Sequence, residues 1–134
     1  MILVDSNVVL GLLLEGGFST AARALFRKDA DWHSEDLVLY EVTNALATQH
    51  RVLGLDLLLA QRMLVRAQEL LLKTRHHVAD ADALAAAATF GISGYDARFI
   101  VLARALGVKL TTEDARLRRA VPAYTQSIAD ALAA

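Results

Sequence analysis

The chain has 134 residues, 55% of them hydrophobic, and this is enough for one substantial core but too little for two ordinary domains. Its formal net charge of -1 and absence of cysteine exclude a strongly basic polymer-binding tail, a disulfide framework and a thiolate metal site. A single domain over residues 1–134 is expected. It should be soluble and cytoplasmic, since no apolar run reaches membrane-spanning length and Asp5 interrupts the apolar start too early for a signal peptide.

Met1–Val4 is apolar on both faces and ends in Asp5, which predicts a strand at the centre of a covered parallel sheet. Val8–Leu14 follows as a helix stopped at Gly16-Gly17, and Ser19 or Thr20 caps a second helix through Arg27. Trp32-His33 is placed in a very short strand. Ser34-Glu35-Asp36 then opens a helix whose three- and four-residue steps put Glu41 on a stripe with Leu37, Asn44, Ala45 and Thr48. The next helix, Leu57–Leu72, is apolar over more than the stripe that one core contact needs, and a homodimer would use the surplus.

Lys73–Val78 is polar, with an edge strand expected near His77-Val78. An alanine-rich helix begins at Asp80 or Asp82 and ends at Gly91, and another runs from Ser93-Gly94 to Leu106 with Gly107 as its stop. Val108–Thr111 is a strand, Thr112-Glu113-Asp114 starts a further helix, and Pro122 breaks the pattern. Strands separated by helices give an α/β fold, a three-layer α/β/α sandwich with a short, mostly parallel sheet.

Asp5 and Asp114 each stand at or just beyond the C-terminal end of an apolar strand, the edge where open α/β sheets bind ligands. Asp96 lies in the first turn of a helix, and Glu41 looks inward from another. Four gathered acids repel one another unless protonated or neutralised by a cation, and all-oxygen donors suit Mg2+ or Mn2+ better than zinc. Three also have a plainer role: Asp5, Asp96 and Asp114 all occupy capping positions, Asp96 three residues after Ser93 as in a capping box. A carboxylate on the largely apolar stripe of Glu41 has no such excuse and needs a partner. Setting these four aside from the 15 acidic residues leaves 11 against 14 basic ones, so the remaining surface admits phosphate. Arg98, Arg116, Arg118 and Arg119 flank the two later acids as phosphate candidates, or else as solvated charge, while adjacent His76-His77 are poorly placed to share an ion.

Ile2-Leu-Val-Asp-Ser-Asn-Val-Val-Leu10, Tyr40-Glu-Val-Thr-Asn-Ala-Leu46, Ile92-Ser-Gly-Tyr-Asp-Ala-Arg-Phe-Ile-Val-Leu-Ala103 and Leu110-Thr-Thr-Glu-Asp-Ala-Arg-Leu117, in this order, resemble the PIN-domain ribonucleases, especially the VapC-type toxins of toxin–antitoxin pairs. The resemblance covers residues 2 to 117 and fades after Pro122. It implies RNA cleavage with Mg2+ or Mn2+, with Asp5, Glu41, Asp96 and Asp114 as the metal-site acids, Thr112 as the accompanying hydroxyl and Asn7 as a polar neighbour. Attack by water would leave 5′-phosphate and 3′-hydroxyl ends. It further implies a small antitoxin, expected in an apolar groove formed by Leu12, Leu13, Leu14, Phe18, Leu25 and Phe26 beside the Glu41 helix. Rival readings are a non-catalytic binding protein of the same fold, a phosphotransferase built on Asp5, and a nuclease acting on DNA. No aromatic platform specific to RNA is visible in the sequence.

Overall fold

The opening apolar run becomes the central strand of a five-stranded parallel sheet. In the computed structural model, which describes residues 1–134, this strand is β1 (Ile2–Val4), with Leu3 and Val4 wholly buried. β2 (Trp32–Glu35) and β3 (Arg75–His76) extend the sheet on one side, and β4 (Leu110–Thr111) and β5 (Thr125–Gln126) on the other, giving the order β3-β2-β1-β4-β5. Every pairing is parallel, with Leu3 level with His33 on one side and Leu110 on the other.

Parallel neighbours need long crossovers, and helices supply them. α1 (Ser6–Leu13) with α2 (Ser19–Lys28), then α3 (Leu37–Leu53) with α4 (Leu57–Leu70), carry the chain from β1 outward to β3 and pack together as one layer. α5 (Asp80–Phe90) and α6 (Gly94–Leu106) return it across the opposite face to β4, α7 (Ala115–Ala120) and a 3-10 turn at Pro122–Tyr124 lead to β5, and α8 (Ile128–Ala133) packs back on α2. The result is the expected α/β/α sandwich. Its core contains 28 buried apolar side chains contributed by both helical layers and the sheet. Gly11 lets α1 and α2 approach closely, since a Cβ there would lie 3.0 Å from that of Ala22. The direction of chain travel reverses between β1 and β4, and this places a topological switch point at their carboxyl ends.

Three local expectations are corrected. Ser34 and Glu35 belong to β2 and not to the helix that follows: Ser34 Oγ donates to the Val4 carbonyl at 2.7 Å, and the fully buried Glu35 carboxylate accepts from Leu37 N–H at 2.6 Å. The capping chemistry legible in these residues is real, but it is delivered from inside a strand. The edge strand forms at Arg75–His76, before His77-Val78, and the helix expected from Thr112 begins at Ala115 with Asp114 as its cap. After Pro122 the chain keeps to the fold: β5 pairs with β4, and a reciprocal capping box between Ser127 and Asp130 starts α8.

Candidate active site

Asp5 follows β1 directly. Its N–H donates to the Thr111 carbonyl at 3.0 Å, so the strand ladder itself fixes the residue beside the end of β4. Its Oδ1 caps α1 by accepting from Ser6 N–H at 2.7 Å, while Oδ2 accepts from the Thr112 hydroxyl at 2.7 Å and from Asn7 Nδ2 at 3.3 Å. The cap of α1 and the bonds to Thr112 and Asn7 thus fall on different oxygens of one carboxylate. Burial pushes its pKa up, and the charges of Asp96 and Asp114 add to the rise against the opposing bonds from Thr112 and Ser6.

Thr112 is a completely buried hub. Besides donating to Asp5, its Oγ1 accepts from Asn7 Nδ2 and from Asp114 N–H, each at 3.1 Å. Asn7 completes the loop by accepting from Glu113 N–H at 3.1 Å. Thr112 therefore holds Asp5 and the turn carrying Asp114 in register, a positioning role. Asp114 caps α7 through Oδ1, which accepts from Arg116 N–H at 3.0 Å and Leu117 N–H at 3.1 Å, and these bonds leave Oδ2 without a partner.

Only half of the capping box expected at Ser93 and Asp96 forms. Ser93 Oγ accepts from Asp96 N–H at 3.0 Å, and no bond returns from the Asp96 carboxylate to the Ser93 backbone. Burial raises the Asp96 pKa, and Asp114 adds to it. The Glu41 carboxyl is pushed up to about 7, first by burial and then by the charges of Asp5, Asp96 and Glu35, against an opposing bond from Ser6. Its Oε1 is buried with no hydrogen-bond partner.

The four acids therefore share one electrostatic neighbourhood at the switch point. As the side chains stand, no three acidic or histidine groups close into a cage for an ion. Their chemistry nonetheless fits a divalent cation: every donor is a carboxylate oxygen, one buried oxygen is unpartnered, and burial, with mutual repulsion added, raises three of the four pKa values.

Two clefts flank the cluster. One of about 420 Å³ is lined by Asn7, Glu41 and Asn44 together with Tyr40 and Tyr95, and the other, of about 290 Å³, by Ser93, Asp96, Asp114 and Arg116. Arg116 lines that second cleft and depresses the Asp96 pKa in part. Arg98 does not have that freedom. It donates to Glu35 at 3.0 Å, to Asp80 at 2.8 Å and to the Val78 carbonyl at 2.9 Å, neutralising the one fully buried glutamate. Arg118 is likewise tied, to the Thr112 carbonyl at 2.7 Å, while Arg119 is exposed. His76 pairs with His33 and His77 with Asp36, so the two adjacent histidines have separate partners.

The expected partner groove forms in part: Leu12, Leu13 and Phe26 line a cavity here, Phe26 also packing edge-on against Trp32, while Leu25 is core. Of the six residues Phe18 is the exposed one, and the Glu41 helix takes no part in the cavity that exists here. That cavity, of about 470 Å³, lies between α1, α2 and α4, with Leu59 and Met63 in its wall and Arg23, Arg27, Arg62 and Arg66 around it. The surplus apolar surface expected on Leu57–Leu72 is present, with Leu57, Leu58, Leu59, Val65 and Leu72 exposed. Sequence reasoning passed over Tyr40, Tyr95 and Glu35. Nothing in the local pattern marks a glutamate as buried, and the two tyrosines meet only through the fold. No helix is long and apolar enough to cross a membrane.

Comparison with known proteins agrees with this architecture. Ribonuclease VapC3 of Pyrobaculum aerophilum is 31% identical over 125 residues, covering 91% of this chain and 95% of that protein. Among solved structures, PAE2754 from Pyrobaculum aerophilum superposes with a TM-score of 0.79 at 21% identity, over 98% of this chain and 86% of that one. FitAcB from Neisseria gonorrhoeae does so with a TM-score of 0.67 at 17% identity, over 95% and 96%. At these identities the two structures attest the fold alone. The family model for the PIN domain matches residues 2–121, a span that contains all four acids and both flanking clefts, and the chain accordingly belongs to the PIN-domain family.

Proposed function

We propose that this chain is a metal-dependent endoribonuclease that hydrolyses RNA phosphodiester bonds, and that it is the toxin of a toxin–antitoxin pair. The observation that carries the catalytic half is the unpartnered, buried Oε1 of Glu41 among three aspartates at the sheet's switch point, an excess of negative charge that Arg116, acting on Asp96, offsets only in part. The similarity to a protein named Ribonuclease VapC3 supports the choice of RNA and of a toxin role.

In this reading Asp5, Asp96 and Asp114 would hold one or two Mg2+ or Mn2+ ions, with Glu41 at the margin. The chemistry supplied by a bound ion is activation of a water and relief of charge on the phosphoryl oxygens. Thr112 and Asn7 keep Asp5 aligned, so that little reorganisation is needed when the substrate arrives. Glu41 would take a proton from the attacking water and release it again. Arg116, at the rim of the Asp96–Asp114 cleft, meets a neighbouring phosphate. Attack by water leaves 5′-phosphate and 3′-hydroxyl ends.

Two partners complete the proposal. The exposed leucines of α4 form a homodimer interface, and a small antitoxin protein restrains the activity in the host cytoplasm. The test is incubation of purified protein with total cellular RNA, with and without Mg2+ or Mn2+, beside an Asp5→Asn control and a DNA substrate. Metal-stimulated fragments with 5′-phosphate ends, absent from the control, are expected. No cleavage under any metal, or equal cleavage by the Asp5→Asn protein, would overturn the reading.

A further inference from the structure

The cleft beside Glu41 has an unusual rim. Tyr40 on α3 is 74% exposed and Tyr95 in the first turn of α6 is 68% exposed, yet both line the same cleft. Both also line the adjoining cavity of about 520 Å³ that extends towards His77 and Asp80, so the two rings stand where the cavities meet. Neither is stacked within the protein, whose close aromatic pairs are Phe26–Trp32, His33–His76 and Phe90–Tyr124. α3 turns Val38, Val42 and Leu46 into the core and so directs Tyr40 outward, and α6 does the same to Tyr95 by burying Ala97, Phe99 and Ile100.

The chemistry of the cleft selects among occupants. It has about 420 Å³, within the range of small-molecule sites, and no lysine or arginine lines it. A phosphate has no counter-charge there and would face Glu41. A flat, neutral, polar-edged group suits it better: two aromatic faces for stacking, and the exposed Asn44 amide with both donor and acceptor for a ring edge. An unpaired nucleobase has these properties, whereas a base inside a duplex hides its faces.

We propose that Tyr40 and Tyr95 form a stacking platform for an unpaired base of single-stranded RNA, next to the phosphate held at the carboxylate cluster. This rests on the nuclease reading and adds to it two specificity residues. The strand enters over the tyrosines, passes the acids and leaves past Arg116.

The experiment measures binding by fluorescence anisotropy, using the full chain in chelator with a fluorescein-labelled single-stranded RNA 12-mer and the same sequence as a duplex. Tyr40→Leu, Tyr95→Leu, the double variant and the two Phe variants are compared with wild type, and cleavage is then measured with Mn2+. The wild type is expected to prefer the single strand. Each Leu change should weaken that binding roughly 5- to 100-fold, Phe should restore most of it, and the loss in cleavage should fall on KM more than on kcat. Unchanged single-strand affinity in the double Leu variant overturns the platform, and if that variant still cleaves RNA the nuclease reading survives. Equal losses on single strand and duplex, or binding of neither RNA by the wild type, also overturn it. A wild type that cleaves nothing but binds single strands through the tyrosines supports the platform and refutes the nuclease reading.

Discussion

Replacing Glu41 with Gln in metal-free protein should stabilise the fold at alkaline pH. The Glu41 carboxyl lies near 7 when folded, against an ordinary value of 4.5. Between those pH values the folded chain holds a proton that the unfolded chain has released, so stability falls as pH rises through this window and the deficit is complete above about 7. At about 1.4 kcal/mol for each pH unit of displacement, the full effect is about 3 kcal/mol, and partial contact with water reduces it to about 1–2 kcal/mol. Glutamine keeps the shape and cannot ionise, so Glu41→Gln removes the deficit. Thermal melts in chelator should show the variant about 3–8 °C above wild type at pH 8.5 and level with it at pH 4. The raised pKa values of Asp5 and Asp96 act in the same direction and remain in both proteins. A variant less stable than wild type at pH 8.5 would refute the claim that Glu41 is an uncompensated charge.

Other expectations follow from the same geometry. Thr112→Val removes a buried hydroxyl on which Asp5, Asn7 and Asp114 converge, and should cost about 1–3 kcal/mol in denaturant melts while cutting cleavage at least tenfold with the acids intact. Arg98→Met strands the fully buried Glu35 charge and should destabilise by about 3–5 kcal/mol in the same assay, whereas Arg116→Met should leave stability unchanged and raise KM for RNA. Light scattering at micromolar concentration should give twice the monomer mass, reverting to the monomer in a Leu58→Glu, Val65→Glu double variant.

The sequence made the sheet's centre and the acids' addresses legible, for identifiable reasons. β1 announces itself because a strand buried on both faces must be apolar throughout, and Gly91 and Gly107 announce the ends of α5 and α6 because both adopt positive φ, at 64° and 67°. β2 was hard to read beyond His33 because Ser34 and Glu35 are satisfied by Val4, Thr74 and Arg98, partners far away in sequence. β5 was hard because two residues carry little periodicity and the strand exists by pairing with β4. Within the site, the Asp5 and Asp114 positions follow from strand ends. The dual use of Asp5, one oxygen for a cap and one for the bonds that tie β1 to the Asp114 turn, appears only when Thr112 and Asn7 are brought against it. Leu25, which is core, could not be told by pattern from Leu12 and Leu13, which line the cavity beside α4, because a core face and a docking face share the same helical period.

The account stands most directly on the claim that the four carboxylates bind a divalent cation together. Calorimetric titration of Mn2+ into wild type and into Asp5→Asn, Asp96→Asn, Asp114→Asn and Glu41→Gln, at pH 7.5 and with folding checked by circular dichroism, measures it. Binding of one or two ions by the wild type, lost in Asp5→Asn and weakened in the other three, is the predicted result. Mn2+ binding of unaltered affinity and stoichiometry in all four variants would contradict it.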